Sequence, residues 1–144
     1  VLAAVLLALD ARMVWEPGGD QVGLVEWLEM RKTKKPGLLM TKLSIPIDPS
    51  VQWDAVARSP KDLPILTAAI CRWPSGHVRI SLGGFGPHPV LIQDGADIKG
   101  WETKAADVLQ KSTDGWASGE YRMAAGITLI KRCIADLDEG KVRS

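Results

Sequence analysis

The sequence predicts an α+β fold, a small antiparallel sheet of about three strands with a helical layer. Two observations carry that expectation. Apolar runs of strand length come first, at residues 65–73, 77–82 and 90–93, and amphipathic stretches of helical period follow, at 102–111 and from Ser118 onward. Strands succeeded by helices, rather than alternating with them, point to a segregated arrangement. In addition, 46% of the 144 residues are hydrophobic, enough for about one domain to enclose a core.

Residues 1–9 are almost wholly apolar and suit the buried end of a helix that stops near Asp10. The run is far short of the roughly 20 residues that span a bilayer. It also lacks the basic region that precedes a secretory signal core, so neither a membrane span nor a signal is expected. Because the chain opens on Val1 inside an apolar segment, it is expected to be cut from a longer polypeptide or processed.

Residues 11–15 alternate as a short strand and end at Glu16-Pro17-Gly18-Gly19-Asp20, strong turn chemistry. Residues 22–30 have an ambiguous period that fits a short helix or an irregular strand and loop. A basic run from Arg31 to Lys35 reads as a solvated loop, and residues 38–45 read as a strand that Pro46 ends. Residues 53–58 are expected to be extended, with a turn through Arg58-Ser59-Pro60-Lys61-Asp62. Pro74-Ser75-Gly76 between two apolar runs is a hairpin signature.

The C-terminal helix has the clearest local chemistry. Ser118 is positioned to accept a hydrogen bond from the N–H of Tyr121, and Glu120 adds negative charge where the helix dipole favours it. Met123, Ile127, Ile130, Ile134 and Leu137 recur at three- and four-residue spacing as one apolar stripe, with Arg122, Lys131 and Arg132 off it. Tyr121 and Arg122 are expected to brace the helix against the sheet. Gly126 weakens the helix by up to about 1 kcal/mol relative to Ala, which is tolerated where another element packs closely.

Composition and spacing exclude several chemistries. Eighteen basic and seventeen acidic residues give a net charge of +1, which supplies no field for holding nucleic acid. A nucleic-acid binder working through Arg31 to Lys35 is therefore disfavoured. Gly84-x-Gly86 follows a predicted strand, yet Pro87 and Pro89 forbid the helix that a dinucleotide fingerprint needs. Gly83 and Gly84 instead permit backbone conformations closed to other residues and leave room for another surface. Cys71, His77, His88 and Cys133 show no metal-ligand spacing, and the two histidines make no triad with a nucleophile. The cysteines read as small core hydrophobes, the six tryptophans as packing residues, and Asp94, Asp97 and residues 136–139 as solvated acids at element ends.

Taken in order, five stretches resemble the flavoprotein (medium, FAD-binding) subunit of the molybdenum hydroxylases, the family of carbon monoxide dehydrogenase and xanthine dehydrogenase. They are Ala8-Leu9-Asp10-Ala11 before a strand, Leu38-Leu39 with Leu43-Ser44-Ile45-Pro46, Arg58 followed by Asp62-Leu63-Pro64, Gly83-Gly84 with its nearby prolines, and Ser118-Gly119-Glu120-Tyr121-Arg122 leading to Lys131-Arg132. The resemblance implies that residues 1–46 are the tail of an α/β FAD-binding domain and 47–144 the whole C-terminal α+β domain. It implies a cytoplasmic electron-transfer component in which FAD belongs to the full-length subunit. The upstream FAD-binding domain, an iron-sulfur subunit and a molybdenum-cofactor subunit would be its partners. The glycine-rich loops that hold the FAD pyrophosphate lie upstream in that family, so this chain alone is expected to bind FAD weakly or not at all and to catalyse nothing.

The cofactor-facing candidates implied by the resemblance are Met40, Arg58, Asp62, Gly83 and Gly84. Two positions depart from the family pattern: Val1 stands where an Asp often contacts the flavin, and Asp54 stands where a Lys or Arg is usual. The alternative from a different class is a free-standing protein-interaction module with the same fold and no redox role.

Overall fold

In the computed structural model, residues 1–31, 33 and 37–140 are described. Lys32, Lys34 and Lys35, most of the basic run expected to be a solvated loop, lie outside the described residues. The chain opens with α1 (Leu2–Ala8), which buries Ala4, Leu7 and Ala8. Asp10 then turns the chain with a left-handed φ of 55°, and β1 (Arg12–Glu16), β2 (Asp20–Gly23), α2 (Leu24–Met30) and β3 (Leu39–Ser44) follow. The ambiguous stretch 22–30 resolves into the end of a strand and a seven-residue helix. Trp15 and Trp27 stack at 3.9 Å between ring centroids and hold α2 beside β1.

The first sheet is antiparallel in the order β2-β1-β3. The second contains β4 (Ser50–Val56), β5 (Leu66–Arg72), β6 (Val78–Gly83) and β7 (Val90–Gly95), antiparallel in simple sequence order. It thus has four strands where about three were expected, because the segment anticipated only as extended pairs with β5 along its whole length, Ser50 opposite Arg72 and Val56 opposite Leu66. The β5–β6 hairpin closes through the N–H of Gly76 on Trp73 O at 2.9 Å, as its Pro-Ser-Gly turn predicts. Two helices complete the chain, α3 (Trp101–Gln110) and α4 (Gly119–Asp138).

The second sheet is covered on both faces. Leu66, Ala68 and Ile70 of β5 join Ile80, Leu82, Leu109, Leu129 and Ile130 in the main core beneath α3 and α4, while Ala69 and Cys71 pack with Ala8 and Leu9 of the α1 side. The strict alternation of β5 between the two cores is the period-two geometry of a strand buried on both faces. Gly126 lets α4 approach α3 so closely that an added Cβ would collide with Leu109. Gly119 does the same at the helix start, where a Cβ would strike the main chain of Gln110.

Two expectations about α4 need correction. Arg122 does not sit off the buried face. It is only 1% exposed, and Arg122, Gly126, Leu129, Ile130 and Cys133 are buried while Met123, Ile127, Ile134 and Leu137 are partly so. The stripe is rotated toward Arg122 because glycines 119 and 126 bring that side of the helix against α3. Of the two residues expected to brace the helix, Arg122 does so, donating to Ile65 O just before β5 at 3.2 Å, whereas Tyr121 is exposed. The cap is as expected, with Tyr121 N–H donating to Ser118 Oγ at 3.1 Å.

Candidate functional site

A cleft of about 540 Å³ lies at the end of the second sheet, lined by Val1, Asp62, Pro64, Ile65, Gly84 and Trp116, with Lys61 and Leu63 completing it. Four chain segments meet there: the start of the chain before α1, the β4–β5 loop, the residue after β6 and the α3–α4 loop. The last three are placed by identifiable chemistry. Ser59 O accepts from the N–H of Asp62 at 3.1 Å, closing the turn that the Ser-Pro-Lys-Asp sequence favours. Gly84 adopts a φ of +91°, and a Cβ there would lie 2.9 Å from Pro64 O and 3.0 Å from the Cα of Leu66. Glycine therefore allows the β4–β5 loop to lie directly on the end of β6.

The α3–α4 loop is built on Asp114. One carboxylate oxygen accepts from the N–H groups of Trp116 at 2.8 Å and Ala117 at 3.1 Å, an Asx-type turn that fixes the Trp116 backbone. The other accepts from Arg122 Nη2 at 2.8 Å. The hydrogen bond from Arg122 and then those from the backbone hold the Asp114 carboxyl down at about 2. Arg58, in the β4–β5 loop, donates from Nη2 to Trp116 O at 2.8 Å, and its guanidinium lies 5.1 Å from the Trp116 ring centroid.

The sequence-predicted residues divide accordingly. Asp62 and Gly84 line the cleft, and Arg58 reaches its rim through Trp116. Gly83 lies one residue inside, with no left-handed φ; its role is spatial, since a Cβ would stand 3.3 Å from that of Ala4 and 3.4 Å from that of Pro89. Met40 is apart from these, exposed on β3 and paired opposite Trp15. Trp116 is one of the cleft residues, with Lys61 and Ile65, that residue-by-residue reading missed. The available signal was Asp114 two positions before an aromatic in a glycine-containing loop, which marks a fixed turn presenting a ring.

The charge reversal at Asp54 is turned away from the α1 side of the sheet. Asp54 pairs opposite Ala68, whose face meets the helices, and its carboxylate lies 3.5 Å from Arg132 of α4. Trp53, opposite Ala69, is the residue on the α1 side.

A second, more polar cleft of about 530 Å³ runs between the two sheets, past Asp10, Arg12, Ser44, Trp73 and His77. Beside it, buried Arg79 is ion-paired to Asp10 and lies 3.4 Å from Asp94, which in turn meets His77 at 2.7 Å. Asp94, exposed near the end of β7 as expected, is thus also an ion-pair partner. Its charges are already matched among themselves.

No protein-family model and no curated protein matches the chain. Solved structures do. The chain superposes with a TM-score of 0.68 on quinoline 2-oxidoreductase from Pseudomonas putida 86, at 19% identity over 97% of this chain and 56% of that one. It superposes equally well on carbon monoxide dehydrogenase from Hydrogenophaga pseudoflava, at 19% identity over 92% and 54%, and on reconstituted CO dehydrogenase from Oligotropha carboxidovorans, at 20% over 94% and 55%. The class is therefore an α+β chain with a fold found in molybdenum hydroxylases. The fold expected from the resemblance is the fold observed, and the chain spans about half the length of the solved chains it matches.

Among the described residues no helix is long and apolar enough to cross a membrane. Leu63, Pro64, Ile65 and Trp116 give the cleft a mainly apolar lining. Lys61 and Asp62 offer one donor and one acceptor at its margin.

Proposed function

We propose that this chain is the C-terminal part of the FAD-containing electron-transfer subunit of a molybdenum hydroxylase-type oxidoreductase. Residues 1–46 are the tail of the FAD-binding domain and residues 47–144 the C-terminal domain. The observation that carries the reading is the shared fold across nearly the whole chain, and the mainly apolar cleft of Asp62, Gly84 and Trp116 is the surface we assign to the ring.

In this reading the domain closes over the flavin ring and contacts an iron-sulfur and a molybdenum-cofactor subunit. The FAD supplies the redox chemistry when bound. The chain's own residues shape an apolar wall, exclude water from it and present Lys61 and Asp62 at its edge. Met40, Arg58 and Gly83 belong to the same cofactor-facing proposal at greater remove. An upstream FAD-binding domain holds the pyrophosphate, so the chain alone binds FAD weakly.

Calorimetric titration with FAD tests this. Weak or undetectable binding by these 144 residues, together with tight binding once an FAD-binding half is supplied, supports the proposal. Tight stoichiometric binding by the chain alone would contradict the division of labour. Absence of flavin from the completed subunit would reject the redox role and favour an interaction module.

A further inference from the structure

Among the described residues, Arg122 is a heavily hydrogen-bonded buried side chain outside the cleft lining. Arg122 lies within α4, 1% exposed, and spends its donors on two different loops. Nε donates to Ile65 O at 3.2 Å, in the β4–β5 loop. Nη1 donates to Ser112 O and, at 3.3 Å, to Ala117 O, and Nη2 donates to the Asp114 carboxylate at 2.8 Å, all in the α3–α4 loop. Ile65 and Trp116 both belong to the cleft lining, from different loops. The same guanidinium therefore reaches behind both walls.

We propose that Arg122 is the positioning residue of this cleft: its planar fork fixes the separation between the Pro64–Ile65 wall and the Trp116 wall. The inference rests on the functional reading above only for the identity of the ring; the coupling of the walls is independent of it. The geometry needs arginine. A guanidinium presents donors in divergent directions from a rigid plane, so it can serve a carbonyl on one loop and a carboxylate on another at once. A lysine ammonium in the same place keeps a charge for Asp114 but acts from one point at the end of a flexible stem. Trp116 is itself 66% exposed. Its orientation thus depends on backbone anchoring through Asp114 and Arg122 on one side and Arg58 on the other.

Amide hydrogen exchange on the 144-residue chain tests the coupling, comparing Arg122→Met, Arg122→Lys and Ile130→Val, the last a core change remote from the cleft. At matched denaturant midpoint, Arg122→Met is expected to speed exchange in residues 57–65 and 112–118 together, by about ten-fold or more, without a like change in β5 and β6. Arg122→Lys is expected to keep 112–118 protected while releasing 57–65. Uniform acceleration across the molecule, or no change in 57–65 with either variant, would overturn the proposal. Should Arg122→Met not fold, the split between loops in Arg122→Lys decides the matter.

Riboflavin, which carries the ring without phosphate or adenine, separates the two questions. Quenching of its fluorescence that is lost in Arg122→Lys and kept in Ile130→Val supports both readings. Binding retained equally in all variants overturns positioning. No quenching with the unaltered chain accords with the weak binding expected of these residues alone, and the exchange pattern then decides the role of Arg122.

Discussion

Ser81 donates its hydroxyl to the carbonyl oxygen of Ala4 across 2.6 Å, inside the packed layer between β6 and α1. A seven-residue helix is too short to persist on its own in water. Docking on the sheet is what holds α1, and through it Val1, at the margin of the cleft. Ser81→Ala removes the polar tie while sparing the apolar contacts, and an exchanged buried hydrogen bond of this kind contributes about 1 kcal/mol. Leu7→Ala in the same layer is expected to cost more, about 3 kcal/mol, because it opens a cavity. Urea unfolding of both variants measures these losses.

Gly84→Ala and Gly83→Ala separate conformational freedom from space. At Gly84 an alanine must adopt a φ of +91° and place its Cβ 2.9 Å from Pro64 O, against backbone that cannot rotate away. Strain of that kind costs about 1–3 kcal/mol before the clash is counted. At Gly83 the nearest atoms are the side-chain carbons of Ala4 and Pro89 at 3.3 and 3.4 Å, and a loss nearer 1 kcal/mol is expected from modest overpacking. Equal denaturant midpoints for the two variants would contradict this account. Gly84→Ala is further expected to disturb the cleft through Pro64.

The elements of this fold were legible wherever one local rule acted alone. The Pro-Ser-Gly turn announced the β5–β6 hairpin, and Ser118 announced the start of α4. Two kinds of feature were not legible. The inward turn of Arg122 depends on glycines 119 and 126 admitting α3 on that side of α4, and on polar main chain from distant loops collecting around the guanidinium. Neither follows from helical period, which assigns a charged residue to solvent. Likewise the roles of Gly83 and Gly84 differ although the two residues are adjacent and chemically identical, because only tertiary contact shows which one has a left-handed backbone. At the cleft, a resemblance supplied Asp62 and Gly84, whereas Trp116 joined them only through the Asp114 turn.

Asp114 gives the cleft loop an acid limit. Its carboxyl is held at about 2, chiefly by the hydrogen bond from Arg122 and next by the N–H of Trp116, whereas a carboxyl in an unfolded chain titrates near about 3.9. Between those values the unfolded state binds more protons than the folded one. The stabilising contribution is therefore complete above about pH 4 and falls as pH drops through 2. The carbon resonance of the Asp114 carboxyl is expected to titrate near 2 in the unaltered chain and to move up toward the ordinary value in Arg122→Met. A midpoint unaffected by that substitution would show that the backbone donors alone hold the charge.

Cys71 provides the opposite sign. It is fully buried between β5 neighbours and the α1 layer, and burial pushes its thiol up to about 12, with the nearby Arg79 charge pulling only partly the other way. An unfolded cysteine titrates near about 8.5. Since the folded state keeps its proton, this contribution to stability is complete below about pH 8 and is lost progressively as pH rises toward 12. At neutral pH the native thiol lacks both the thiolate form and the access that alkylation requires. Iodoacetamide at pH 8 is thus expected to modify Cys71 only at the rate of opening, at least about a hundred-fold slower than in urea-unfolded chain, and Leu7→Ala should speed it by loosening the covering helix. Modification of the unaltered native chain at the unfolded rate, read by peptide mass spectrometry, would mean that α1 does not stay docked on the sheet in solution.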